Sequence, residues 1–302
     1  MNNYVIRTKK ISKKYRKEFV LKDINMNIKK GDIYGLIGKN GAGKTTIMRI
    51  LSGLSIANEG SIELFGEPES IVKSRKRIGV LIESPAFFEE MDVYKNLEYL
   101  RKLKGIPGKA CIDEKLKLVG LENVKGKQIK DYSLGMKQKL GLAIALLGDP
   151  EILILDEPAN GLDPVGIVKM RELLKKINEE KGITILISSH ILSELSQISN
   201  VYGIMSKGKL IEEISMDDLM EKSKIALEIN VDKVEKCTWI LENILNISEY
   251  KVLNNNVIRI YECIDKASII TKELAKRDVL ISQMVTKGES LEDYVMNVME
   301  SE

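Results

Sequence analysis

Between residues 21 and 28 apolar and polar side chains alternate, with Ile24, Met26 and Ile28 on one face, the pattern of a strand with one side buried. Residues 33–37 and 78–82 are short apolar runs bounded by glycine or charge, which suits strands covered on both faces. Residues 61–65, closed by Gly60 and Gly66, read as an edge strand. The period changes beyond Ser84. Val93, Leu97 and Leu100 recur at helical spacing, as do Leu116 and Val119, so residues 84–147 form a mostly helical insertion. Strands return at 152–155, 183–187 and 201–205, and between the first two a helix carries Ile167, Met170, Leu174 and Ile177 on one side. Strand–helix–strand order of this kind predicts a mostly parallel sheet with ligands at the carboxyl ends of its strands.

Lys207-Gly208 reads as a hairpin turn, and past Leu219 the pattern restarts in a smaller unit. Strands are expected at 225–229, 257–261 and 279–285, with helices at 238–245, 266–275 and 291–299. The chain therefore divides into residues 1–219 and a small α+β appendage, 220–302. Trp239, the single tryptophan, is expected as a core anchor of that appendage.

The bulk numbers narrow the class. The chain has 302 residues, with 44% hydrophobic and 30% charged, a globular rather than a disordered composition. Its 47 basic and 44 acidic residues leave +3, so no nucleic-acid partner is implied. Cys111, Cys237 and Cys263 are odd in number and far apart, which argues against a disulfide framework or a zinc site. Met1-Asn2-Asn3-Tyr4 lacks the layout of a signal peptide, and no apolar run approaches the roughly 20 residues that cross a bilayer.

The chemistry starts at Gly38-Lys39-Asn40-Gly41-Ala42-Gly43-Lys44-Thr45-Thr46, between an apolar run and a helix-like stretch. Backbone N–H groups of a glycine-rich turn, aimed by the following helix, can cage phosphate oxygens. Lys44 adds a point charge for the β- and γ-phosphates, and the Thr45 hydroxyl can ligate Mg²⁺. A second buried strand ends in Asp156-Glu157-Pro158, where Asp156 suits the Mg²⁺ shell and Glu157 suits a general base facing the attacking water. His190, the only histidine, follows Ser188-Ser189 at another strand end, in place to meet a γ-phosphate or that water. Ser133 and Gly135 open an apolar helix, a second anion-binding terminus.

Taken together, these segments resemble the Walker A loop, the signature (Ser133-Leu134-Gly135-Met136-Lys137-Gln138), Walker B, the D-loop around Asp163 and the H-loop of an ABC transporter ATP-binding subunit. The order and spacing match over residues 1 to about 215. The resemblance implies an α/β P-loop NTPase fold: a RecA-like core with an antiparallel β-subdomain and a helical subdomain, plus the C-terminal α+β domain. It implies ATP and Mg²⁺ as ligands, with Gly38, Asn40, Gly41, Ala42, Gly43, Lys44, Thr45 and Thr46 on the nucleotide. Tyr15 would stack on adenine, and Ser133, Gly135 and Gln138 would act across a dimer. Lys44, Glu157 and His190 would be catalytic, and Thr45, Asp156 and Glu83 would serve the metal. Glu83 stands where most relatives carry the Q-loop glutamine. That substitution, and the tail at residues 289–294, resemble the subgroup serving bacitracin resistance and lantibiotic immunity. The implied partners are a second ATP-binding subunit and separate transmembrane permease subunits, with the chain cytoplasmic and peripheral on the inner face of the membrane. Open beside this are an ABC transporter ATPase for another substrate and a soluble ABC ATPase acting on ribosomes or DNA. Against the latter stand a single cassette and only residues 47–132 between phosphate loop and signature, too few for a long coiled coil.

Overall fold

The computed structural model describes residues 3–67, 71–83, 87–124, 126–223, 225–287 and 290–301. The chain forms two compact units, residues 1–216 with 298–302, and residues 217–297.

In the first unit β1 (Tyr4–Tyr15) is the centre of an antiparallel sheet, pairing with β2 (Glu18–Ile24), β3 (Asn27–Lys29) and β5 (Glu59–Leu64). The single strand expected over residues 21–28 is two. Asp23 adopts φ +53°, Asn25 turns back to the Asp23 carbonyl, and Thr8 Oγ1 takes the Met26 N–H at 2.8 Å, so the chain jogs between two stretches of β1. Ile24, Met26 and Ile28 are all fully buried nonetheless. β1 itself escapes a period-two reading, because Lys10 at φ +50° and shifts in pairing register break its alternation.

The second sheet has the order β10-β9-β4-β8-β7-β6. Its strands are β4 (Ile33–Ile37), β6 (Ile78–Leu81), β7 (Ile152–Asp156), β8 (Thr184–Ser189), β9 (Val201–Ser206) and β10 (Lys209–Ser215). β6, β7, β8, β4 and β9 run parallel, and β10 returns antiparallel to β9 through Lys207 (φ +45°) and Gly208 (φ +81°). A left-handed pair of this kind matches strand twist. A Cβ on Gly208 would lie 2.4 Å from the Val20 carbonyl oxygen, so only glycine fits there. β4, β7 and β8 are buried at every position, which is why they read as unbroken apolar runs.

Helices cover the sheet. α1 (Lys44–Ser52) buries Ile47, Met48, Ile50 and Leu51, and α2 (Ile71–Arg75) is short. Between β6 and β7 lie α3 (Val93–Leu103), α4 (Ala110–Val119) and α5 (Leu134–Ala145). Asn96 is fully buried and closes this region locally, exchanging hydrogen bonds with the backbone N–H and carbonyl of Phe88. α6 (Pro164–Lys181) and the single turn α7 (Leu192–Leu195) follow β7 and β8. Met170, Leu174 and Ile177 are the buried face of α6.

α8 (Met216–Ser223) leads into the second unit. There an antiparallel sheet of order β12-β13-β11-β14 is built from β11 (Ala226–Val231), β12 (Tyr250–Val252), β13 (Val257–Ile260) and β14 (Ile281–Lys287). α9 (Val234–Asn243) and α10 (Ala267–Ala275) bury Cys237, Ile240, Leu241, Ile270 and Leu274 with the strands' apolar residues. The expectation for Trp239 fails: it is 54% exposed. Cys237, Ile240 and Leu241 share one face of α9, and on a 3.6-residue turn Trp239 falls about 160° from Cys237 and Leu241 and about 100° from Ile240. β12 is only three residues, Tyr250 partly buried and Lys251 and Val252 exposed, too short to show a period. α11 (Leu291–Glu300) begins at a Ser290 cap, with the Asp293 N–H donating to Ser290 Oγ at 3.1 Å. Glu289, in the tail that carried part of the resemblance, and residues 84–86 lie outside the described residues.

Candidate active site

Strand register decides what meets at the sheet's carboxyl edge. β4 pairs with β8 so that Ile37 faces Ser189, and β7 pairs with β8 so that Asp156 faces Ser188. The phosphate loop, the two carboxylates and His190 thus leave three adjacent strands at one level.

The loop is shaped from within. Gly43 caps α1 without any side-chain bond, at φ +102°, and a Cβ there would lie 2.6 Å from Leu21 Cδ2. Gly41, at φ +82°, would direct a Cβ into open space. The Ala42 N–H donates to the Lys39 carbonyl at 3.0 Å, and the Ala42 carbonyl accepts from Gly208 at 3.1 Å, which ties the loop to the β9–β10 turn. A helix N-terminus left to backbone donors is ready for anions.

Lys44 is buried, donates from Nζ to the Gly38 carbonyl at 2.7 Å and lies 3.6 Å from Glu157 Oε1. Glu157 Oε2 lies 3.1 Å from His190 Nδ1, so one carboxylate spans the lysine and the imidazole. Glu157 has φ +46°, a left-handed conformation that is strained for glutamate and turns the chain sharply at the strand end. Asp156 Oδ2 accepts from Thr45 Oγ1 at 2.7 Å and Oδ1 from Ser188 Oγ at 2.6 Å. Ser188 Oγ also accepts the Glu157 N–H at 2.9 Å. Sequence reading gave Ser188 no role, although it lies in the quoted Ser188-Ser189-His190 segment. Ser189 holds the His190 loop, donating to Glu194 Oε2 at 3.1 Å and accepting from the Ile191 N–H at 3.0 Å.

The Thr45 hydroxyl and Asp156 carboxylate are hard oxygen donors beside a phosphate loop. They fit Mg²⁺, which takes few protein ligands and shares its shell with phosphate oxygens. Among the described residues no group of three or more His, Cys, Asp or Glu is assembled to hold a metal. Glu83, at φ +60°, is engaged by the Arg49 guanidinium rather than by this pair.

The remaining candidates lie elsewhere. Ser133 caps α5, accepting the Met136 N–H at 3.3 Å, and is exposed beside the exposed Leu134. Gly135 and Gly161 pack against Leu162 and Leu134, so the signature and D-loop segments touch within one chain. Gln138 Oε1 is enclosed without a hydrogen-bond partner among the described residues. Asp163 caps α6 by accepting from the Gly166 N–H at 2.9 Å. Tyr15 is 47% exposed at the end of β1, with Lys13 Nζ 5.1 Å from its ring centroid. The chain's last residues reach the loop as well. The Met299 carbonyl accepts from Ser206 Oγ at 2.9 Å, and Glu300 Oε1 lies 3.4 Å from Lys39 Nζ.

Comparison with known proteins identifies the family. A family model described as ABC transporter matches residues 21–160. The bacitracin transport ATP-binding protein BcrA of Enterococcus faecalis is 41% identical over 293 residues, 96% of this chain and 95% of that protein. The chain belongs to the ABC transporter family. It is an ATP-binding subunit of that family and an ATP hydrolase. The lantibiotic transport ATP-binding protein SrtF of Streptococcus pyogenes is 43% identical over 213 residues, 70% of this chain and 92% of that protein. Among solved structures, cbiO1 of Clostridium perfringens, part of the ABC transporter complex cbiONQ, aligns with a TM-score of 0.66. It is 27% identical over 81% of this chain and 97% of its own. The dimeric cassette MJ0796, bound to ADP and Pi in a post-hydrolysis state, aligns at 0.63 and 25% identity over 70% of this chain and 98% of its own. No helix among the described residues is long and apolar enough to cross a membrane.

Proposed function

We propose that this ABC subunit powers removal of a peptide antibiotic of the bacitracin or lantibiotic kind through separate membrane permease subunits. It would work as a homodimer on the cytoplasmic face of the membrane. The observation that supports this reading best is the Lys44–Glu157–His190 chain set over Thr45–Asp156–Ser188 on adjacent strand ends. Similarity over almost the full length to bacitracin transport subunits supports the substrate class.

In this reading the Gly38–Thr46 loop and Lys44 hold the triphosphate. Thr45 and Asp156 would hold a Mg²⁺, which would supply positive charge against the phosphate oxygens. Glu157 accepts a proton from the attacking water. His190, hydrogen-bonded to Glu157, fixes the direction of that carboxylate and reaches the γ-phosphate side. The exposed caps Ser133 and Asp163 face a second subunit, so the triphosphate is part of the interface. Hydrolysis then places two mutually repelling anions there and shifts the population toward the open pair. The dimeric cassettes among the solved structures support that arrangement. Tyr15 lies against the base, and residues 217–297 serve dimer support or regulation.

Two measurements test the reading. Affinity purification from native membranes should co-purify multi-spanning proteins, whereas ribosomal or DNA-bound material would refute the transport role. A strain lacking the gene should become sensitive to bacitracin or a lantibiotic and be rescued by the wild-type chain but not by Glu157→Gln. Unchanged sensitivity to both classes would refute the cargo.

A further inference from the structure

β6 pairs in parallel with β7 so that Leu81 faces Leu155. Two residues further on, Glu83 and Glu157 leave the sheet at the same edge. Glu83 thus leaves the sheet at the edge that carries Asp156 and Glu157, where a triphosphate would bring several more negative charges. Each carboxylate has its own counter-group. Asp156 has the Thr45 and Ser188 hydroxyls, Glu157 has Lys44 and His190, and Glu83 has Arg49.

Arg49 is not placed there by accident of surface crowding. It lies four residues after Thr45 on α1, one turn along, so the two side chains leave the helix on the same face. α1 is anchored by the phosphate loop at one end and buries Ile47, Met48, Ile50 and Leu51, so the guanidinium projects from a fixed support. Its Nη2 donates to Glu83 Oε1, with the pair about half open to solvent, Arg49 at 37% and Glu83 at 60%. Glu83 itself is held at φ +60°, which turns its carboxylate off the line of β6.

We propose that Arg49 is a positioning residue for ATP binding: it draws the Glu83 carboxylate onto α1 and cancels its charge, which lets an acidic residue stand at the rim of a triphosphate site. This inference rests on the reading that the Gly38–Thr46 loop holds Mg·ATP. One uncompensated charge acting across about 8 Å, at an effective dielectric of about 20–40, changes an anion's affinity about 6- to 30-fold. Loss of Arg49 exposes Glu83 and repels nucleotide. Loss of both groups removes the repulsion together with its cure.

The test is displacement of a fluorescent ATP analogue by ATP, with and without Mg²⁺, on purified wild type, Lys44→Ala, Arg49→Gln, Arg49→Lys, Glu83→Gln and the Arg49→Gln/Glu83→Gln pair. Thermal melting confirms that each variant is folded; an exposed pair adds little to stability. Arg49→Gln should weaken ATP binding about 6- to 30-fold at low salt and less at high salt, as a long-range charge effect must. Arg49→Lys should fall in between, and the double variant should return to within about 3-fold of wild type on the same charge argument. The inference is overturned if Arg49→Gln binds as wild type. It is equally overturned if the double variant stays as weak as Arg49→Gln, since Arg49 would then act on the phosphates without Glu83. Failure of the underlying reading looks different: wild type and Lys44→Ala would bind ATP alike.

Discussion

Replacing Ser188 by alanine isolates a contact that joins both carboxylates of the site. The hydroxyl is 1% exposed, donates to Asp156 Oδ1 at 2.6 Å and accepts from the Glu157 N–H at 2.9 Å. A hydrogen bond to a charged group contributes about 1.5–3 kcal/mol, and an orphaned buried N–H costs about 1–3 kcal/mol. Together they predict a loss of about 2.5–6 kcal/mol. At about 2–4 °C per kcal/mol for a domain of this size, the melting temperature should fall by about 5–25 °C. Because Asp156 would keep only the Thr45 contact to orient it, the Mg²⁺ concentration for half-maximal hydrolysis should rise about 10- to 100-fold, the usual effect of removing a partner behind a metal ligand. The assay is phosphate release against Mg²⁺ at saturating ATP, at a temperature where both proteins are folded. A variant that melts within about 1 °C of wild type and keeps its Mg²⁺ dependence would refute the reasoning, because the Ser188 bridge would then carry no free energy.

Glu157→Gln should lower hydrolysis about 10²- to 10⁴-fold and leave ATP binding intact, and wild-type turnover would remove Glu157 as the base. Ser133→Arg puts a long cation on the exposed cap of α5 and should abolish ATP-dependent dimerisation in gel filtration; a persisting dimer refutes the cross-subunit role. Burial pushes the Cys237 thiol up to about 12, whereas Cys111 and Cys263 are partly exposed. A raised thiol pKa means less thiolate at pH 8, so iodoacetamide followed by mass spectrometry should label Cys111 and Cys263 about 10²-fold or more faster than Cys237. Equal rates would contradict the packing of α9.

The amino-acid sequence alone determined the parts of this protein whose physics is local. The phosphate loop needs glycines at particular neighbouring positions, and Gly41 and Gly43 take the positive φ angles that their letters implied. Buried central strands need unbroken apolar runs, so β4, β7 and β8, with Asp156, Glu157 and His190 at their ends, are legible in the sequence. What depends on phase or on strand register between distant segments was not. Trp239 faces solvent because Cys237, Ile240 and Leu241 set the buried phase of α9. The jog between β2 and β3 arises where two strands meet different stretches of β1, and β1 was hidden by its own irregular register. Ser188 bridges Asp156 and Glu157, and Arg49 meets Glu83, because parallel strands and one helix bring together residues 31–34 positions apart. Local side-chain sequence carries the chemistry of each group, while only the packed sheet fixes which group answers which charge.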